Sequence, residues 1–284
     1  MFQIFTDVSA NLPQETVERH GLGIVSLVCS VDGTALDLSG GFDGKAFYDK
    51  MRAGALTKTS MPSMGTFFDE FTPTLEKGMD ILYIAMSSGI SGTVGLAQTA
   101  AEELLEQFPD RRIVVIDTRG ASLGEGLHVL EAIRLRDEGK SLDEVAAIIR
   151  EACDYMCQVF TVEDLEYLKR GGRLHSATAK VGNLLHVKPI LMGDDKGRII
   201  IRNMSIGRRR SLDTLAAKYR DSCSDKSRPV GLAHADCEAD VKYVEEKLRE
   251  AGCTGEIHTV LYEPVTGSHV GPGTVALFFY GEHR

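Results

Sequence analysis

The stretch that most constrains this chain runs from Ile81 to Phe108. Ile81-Leu82-Tyr83-Ile84-Ala85-Met86 is a short apolar run without charge, the pattern of a strand buried on both faces. It stops at Ser87-Ser88-Gly89-Ile90-Ser91-Gly92-Thr93. Beyond that, Ala97, Ala100, Ala101, Leu104, Leu105 and Phe108 recur at helical spacing, with Glu102, Glu103 and Glu106 on other faces. A buried strand therefore ends in a Ser/Gly loop that opens a helix.

That geometry has a chemical consequence. The first N–H groups of a helix lack internal partners, and the helix dipole is positive there. Glycines allow close backbone approach, and serine hydroxyls add donors, so the loop suits a carboxylate or phosphate. It is not a phosphate-binding Walker loop, because Thr93 stands where the Lys would follow the last Gly. No Gly-x-Ser-x-Gly nucleophile elbow occurs anywhere in the chain. On the loop alone, Ser88 and Ser91 read equally as helix caps and as anion donors.

The flanking sequence repeats the strand–loop–helix theme. Phe2–Phe5 reads as a strand ending at Thr6-Asp7-Val8-Ser9, with a helix between Pro13 and Gly21. Leu22–Val31 is strand-like and turns at Asp32-Gly33. Asp43 caps a helix to Arg52, and Ser63 caps a helix over Met64–Lys77. Between these lies Lys58-Thr59-Ser60-Met61-Pro62, a second hydroxyl cluster kept extended by Pro62. Arg112–Asp117 is another buried strand. Ser141-Leu-Asp-Glu144 is a capping box ahead of an apolar helical stripe. Strands alternating with helices predict an α/β layer fold with a largely parallel sheet. Ligands in such sheets collect at the carboxyl ends of the strands, where Asp7, Ser91 and Asp117 fall.

The C-terminal half predicts a smaller α/β unit with a mixed or antiparallel sheet. It begins with a strand at Val159–Thr161, and a helix around Leu165–Leu168 ends at Gly171-Gly172, just before Arg173. A further helix is expected over Ser176–His186. Lys188–Met192 and Arg198–Arg202 read as a hairpin through Asp194–Gly197. Pro229–His234 and Glu256–Tyr262 read as strands around a helix, Asp236–Ala251. The loop Val265–Gly273 carries His269 and precedes the strand Thr274–Tyr280. Arg202, Arg208, Arg209 and Arg210 form a local basic patch, read either as a solvated face or as a docking surface or phosphate contact.

The whole chain bounds the function. Its 284 residues accommodate two domains, and the division expected is 1–160 and 161–284. A net charge of -9 argues against general nucleic-acid or anionic-membrane binding. No apolar run is long enough to span a bilayer, and the N-terminus lacks a signal-peptide layout. The six cysteines show no metal or redox spacing, so reduced thiols and a cytoplasmic location are expected. No metal cluster or dinucleotide fingerprint is seen.

Taken together, FTDVSANLP at Phe5, TSMPS at Thr59, SSGISGT at Ser87, DTRGASLGEG at Asp117, LEYLKRGGRL at Leu165, KPIL at Lys188 and HVGPG at His269 resemble the DegV family of bacterial fatty-acid-binding proteins. The resemblance covers nearly the whole chain. It departs at Met61, where the family usually has Gln, at Val8, usually Ser, and at Val94, often an aromatic. The resemblance implies a non-enzymatic carrier that buries one long-chain fatty acid between two α/β domains and needs no cofactor. The carboxylate would be held by Thr59 or Ser60, by Ser91 with Ser88 in the same loop, and by His269. In several relatives a separate fatty acid kinase subunit makes an acyl-phosphate from ATP, a step toward phospholipid metabolism. Arg173 and Arg202 match positions associated with that encounter. The competing reading is an enzyme that transfers phosphate to, or hydrolyses, a small anionic substrate. An acyl-binding regulator without a kinase partner is a third.

Overall fold

The computed structural model describes residues 1–38, 41–175 and 186–284. The helix expected over Ser176–His186 lies almost wholly outside the described residues, which resume at His186.

Two sheets organise the chain. In the first, β1 (Phe2–Asp7), β2 (Gly23–Val25), β6 (Asp80–Ala85) and β7 (Ile113–Asp117) run parallel in the order β2-β1-β6-β7. The strand read from Ile81–Met86 is thus central, and its alternation decides what packs where. Leu82 and Ile84 join Ile4, Val129, Ile133, Val145 and Ile149, from α5 (Leu123–Asp137) and α6 (Leu142–Ala152). Ile81, Tyr83 and Ala85 join Phe5, Phe67, Phe71, Ala97 and Leu104, from α3 (Met64–Glu76) and α4 (Thr93–Gln107). Both faces are covered, which explains the uninterrupted apolar run. Val94 belongs to this second cluster and does not line the ligand cavity described below.

A short helix, α1 (Gln14–His20), stops at Gly21, whose φ of 59° needs a glycine. The expected strand Leu22–Val31 is in fact two. β2 stays in the parallel sheet. β3 (Val28–Val31) turns at Asp32-Gly33 onto β4 (Thr34–Ala35) and pairs with β5 (Thr57–Ser60) in a separate antiparallel sheet. α2 (Gly44–Arg52), capped by Asp43 as expected, lies between β4 and β5 in the chain.

The second sheet is mixed. Its order is β10-β9-β8-β13-β11-β12, from β8 (Met156–Thr161), β9 (Val187–Gly193), β10 (Ile199–Ile206), β11 (Val230–His234), β12 (Ile257–Leu261) and β13 (Val275–Tyr280). Only the β11–β12 pair is parallel. β8, through which a division at 160/161 would cut, is an interior strand of this sheet. Val159, Leu277 and Phe279 pack on α8 (Arg208–Ser222) and α9 (Glu238–Glu250). The opposite face, carrying Phe160, Phe278 and Tyr280, looks toward Leu123 and Leu127 of α5 and Tyr48 of α2. That fourth cluster draws on both halves of the chain, and the cavity lies within it.

Two helices complete the fold. α7 (Glu166–Arg170) ends at Gly171. α10 (Pro264–Val270) occupies the stretch read as a loop around His269. Gly267 and the Gly271-Pro272-Gly273 run suggest irregular backbone, but Pro264 starts the helix and the Glu263 carboxylate accepts from Val265 N and from Thr266 N, the latter at 2.6 Å. Gly271, at φ 79°, terminates it.

Candidate functional site

Where the carboxyl ends of β6 and β7 meet the inner face of the second sheet there is a cavity, with about 850 Å³ of empty space when the part open to solvent is included. Its walls are mostly apolar: Met86, Ile90, Phe160, Ile199, Val270 and Phe278 all contribute.

One part of the wall is polar, and elements distant in sequence assemble it. β5 alternates half-buried and exposed residues, so Thr59 points inward while Ser60 is exposed, though it still borders the cavity. Thr59 Oγ1 lies 2.8 Å from His269 Nε2. His269 has its Nδ1 side against Gly171, where a Cβ would come within 2.3 Å of that nitrogen. Burial, and next the positive charge of Arg173, depress the His269 pKa to about 4. The imidazole is therefore neutral near pH 7, with a single N–H. Ser91 borders the same region. Its Oγ is 2.8 Å from Thr93 Oγ1 and accepts from Thr93 N at 3.3 Å, so it bonds within the loop that opens α4 while bordering the cavity.

Ser88 is not part of this wall. It is exposed, and its N–H and hydroxyl both donate to Asp117, at 3.1 and 2.5 Å. The strand-end acids are likewise occupied. Asp117 also takes the Arg119 N–H, and Asp7 is buried behind Met86. Ser87, not singled out from sequence, borders the cavity and donates to Gly197 O at 2.8 Å, tying the first sheet's loop to the β9–β10 turn.

Arg173 lies beside the polar wall. It is half-buried in the cavity wall, donating from Nε to Ile90 O at 3.1 Å and from Nη1 to Gly171 O at 2.6 Å. Burial lowers its pKa. Among the described residues it makes no ion pair, and no Asp or Glu lines the cavity. Arg119, the other arginine there, is paired with Asp154. Arg173 comes just after a Gly-Gly helix stop, and only tertiary contacts bring it to Ser91 and His269; nothing local in the sequence signals that placement. Arg202, in contrast, is exposed on β10, the edge strand of the second sheet. The basic patch read around it divides. Arg208 turns inward onto Asp240, Arg209 stacks over Tyr243 with its guanidinium 3.1 Å from the ring centre, and Arg202 and Arg210 stay exposed.

The site thus joins a half-buried cation without an ion pair among the described residues, several hydroxyls and a neutral imidazole to a long apolar wall. It has the makings of a receptor for an amphiphilic anion. Comparison with known proteins agrees with this class. Residues 1–282 match the family model described as "Uncharacterised protein, DegV family", and the chain belongs to the DegV family. A DegV domain-containing protein of Clostridium perfringens is 37% identical over 100% of this chain and 98% of its own length. A DegV family protein from Thermus thermophilus, whose structure is described as showing fatty acid binding, superposes with TM-score 0.88 at 29% identity, covering 99% of each chain. DegV from Bacillus subtilis, described as a fatty acid binding protein, gives TM-score 0.86 at 26% identity, again over 99% of each chain.

Proposed function

We propose that this protein binds one long-chain fatty acid in the cavity, with the carboxylate against Arg173, Thr59, Ser91 and His269 and the acyl chain along the apolar wall. The observation that carries the reading is Arg173. A half-buried guanidinium without a carboxylate partner is costly, and an anionic ligand would neutralise it through charge-assisted hydrogen bonds. The remaining donors are neutral and can turn toward the same oxygen atoms. The absence of carboxylates from the described lining fits an anion and not a cation. The fatty acids named for the Thermus and Bacillus relatives support the same ligand class.

The carrier reading extends to delivery. A ligand whose head group lies in a wall, and not deep in a core, can be handed to a second protein, and a separate kinase subunit that forms an acyl-phosphate is the partner the reading names. Exposed Arg202 on the edge strand is the candidate contact for that encounter. Mass spectrometry of the protein under native conditions tests the ligand class directly. An acyl carboxylate adduct is the expected result; a nucleotide or phosphosugar adduct would overturn the proposal.

A further inference from the structure

Two fully buried carboxyl groups lie behind the Ser/Gly loop, outside the cavity lining. Asp7 ends β1, and Glu125 is in the first turn of α5. They meet at a single hydroxyl. Ser9 Oγ is 2.5 Å from Asp7 Oδ1 and 2.8 Å from Glu125 Oε2. A serine hydroxyl has one proton and can donate to only one of them. Two bare carboxylates at those distances would leave one oxygen–oxygen contact without a hydrogen, so the second proton must come from a carboxyl.

The surrounding donors say which one. Asp7 collects Ser9 N–H at 2.9 Å, Met86 N–H at 3.2 Å and the Tyr83 hydroxyl at 3.3 Å, a set that favours the anion. Glu125 has the Thr6 hydroxyl at 2.7 Å and a weaker contribution from the Asp7 backbone N–H. Around the pair, the other titratable groups are Tyr83 on β6 and Glu263 ahead of α10; neither is a cation. Burial pushes both carboxyls up, Glu125 well above the usual range, with the charge of Asp7 as the next cause.

We propose that Asp7 and Glu125 share one proton, resident on Glu125, and that this pair positions the Ser87–Thr93 loop of the fatty-acid site. Glu125 Oε2–H donates to Ser9 Oγ, Ser9 Oγ–H donates to Asp7 Oδ1, and Asp7 Oδ2 accepts the Met86 N–H where β6 gives way to the loop. Ser9 O also receives Ser122 N–H at 2.7 Å, which ties the relay to the start of α5. Both residues are positioning residues; neither borders the ligand cavity. Removing the shared proton leaves two anions around one hydroxyl, and the loop is released by their repulsion.

The relation to ligand binding rests on the fatty-acid reading, but the proton itself is tested without ligand. Infrared difference spectra of glutamate-labelled protein at pH 7 should show the carbonyl band of a neutral carboxylic acid, and Glu125→Gln should remove part of it, the remainder belonging to Glu263. Glu125→Gln keeps a neutral donor toward Ser9 Oγ. In the wild type the raised Glu125 makes the folded state hold a proton that the unfolded chain releases, so its stability falls as pH rises. The melting temperature of Glu125→Gln should therefore gain on the wild type from pH 5 to 9. Glu263, raised by burial to about 7, titrates in both proteins and cancels in the difference. For binding, Glu125→Ala should lose affinity for a fluorescent long-chain fatty acid by at least about tenfold, and Glu125→Gln should restore it. Asp7→Asn should not. No Glu125-dependent acid band, a parallel pH dependence in the two proteins, or rescue by Asp7→Asn in place of Glu125→Gln would each overturn the assignment. If Glu125→Ala does not fold, the band and the Glu125→Gln melting series still decide. Absence of fatty-acid binding with the band present would fault the ligand reading alone.

Discussion

Arg173→Met separates a ligand-binding arginine from a surface docking arginine. In the folded protein Arg173 gives up two hydrogen bonds on substitution, to the carbonyls of Ile90 and Gly171, and both acceptor residues are only partly buried, so water can replace it. Methionine keeps the apolar stem packed. Because no ion pair is broken among the described residues, the melting temperature of the ligand-free protein should change little. With a fatty acid bound the balance differs. A charge-assisted hydrogen bond to a carboxylate contributes about 1.5–3 kcal/mol, which corresponds to roughly tenfold to a hundredfold in affinity. Removing the cation also relieves the charge that, after burial, holds the His269 pKa down, so the imidazole should titrate higher in the variant. The assay is displacement of a fluorescent fatty acid at low and high salt, with an NMR titration of the His269 ring. Affinity within about twofold of wild type, with normal folding, would refute the placement of the carboxylate and leave Arg173 with the partner-contact role the family resemblance implies.

Four further outcomes follow from the same geometry. Binding should strengthen about fourfold per added methylene until the apolar wall is covered, since each contributes about 0.8 kcal/mol; a saturated acid series below its micelle concentration checks this, and equal affinity for short and long chains would sink the carrier reading. Gly171→Ala should displace the His269 ring and weaken binding about tenfold or more, because a Cβ there overlaps Nδ1; unchanged affinity would show that the ring position is immaterial. Ser88→Ala should leave affinity within about twofold, because its hydroxyl serves Asp117 outside the cavity. Finally, His128 and His269 have folded pKa values pushed down to about 3 and about 4, mainly by burial, so the unfolded chain binds more protons below its ordinary histidine pKa. Their contribution is intact above about pH 6.5 and is lost as pH falls toward 4, and melting curves of His128→Gln should show a shallower acid decline than wild type.

What the sequence made legible was local. The alternation of Leu82, Tyr83 and Ile84 between two covered faces is inherent in a six-residue strand, and the caps at Asp43, Ser63 and Ser141 need only neighbouring residues. The pairing of Thr59 with His269 spans most of the chain, and motif resemblance brought those two positions together where periodicity could not. Helix α10 was hidden because its glycines read as breakers. In fact Gly267 is required by the Tyr48 hydroxyl, which a Cβ would meet at 2.3 Å, and the backbone there remains helical. Ser88 and Ser91 were indistinguishable as donors until Asp117 was seen to claim one of them. The placement of Arg173 in the cavity wall was out of reach for a related reason: it follows a helix stop, and only tertiary contacts bring it there.

The close approach of Gly89 to the turn at Lys196 and Gly197 has a kinetic meaning. A Cβ on Gly89 would come within 2.4 Å of the Lys196 carbonyl oxygen, and Ser87 bonds the Gly197 carbonyl beside it. The two halves therefore meet at this seam through backbone, the Ser87 hydroxyl and the Arg119 guanidinium, whose Nη1 donates to Asp195 O at 3.2 Å. Such a clasp can open and reclose without repacking a core, so the fatty acid proposed for the cavity need not wait for global unfolding to leave. Residence time would then be set by how often this clasp opens, and affinity by the walls behind it, which leaves exchange rate and tightness free to vary independently.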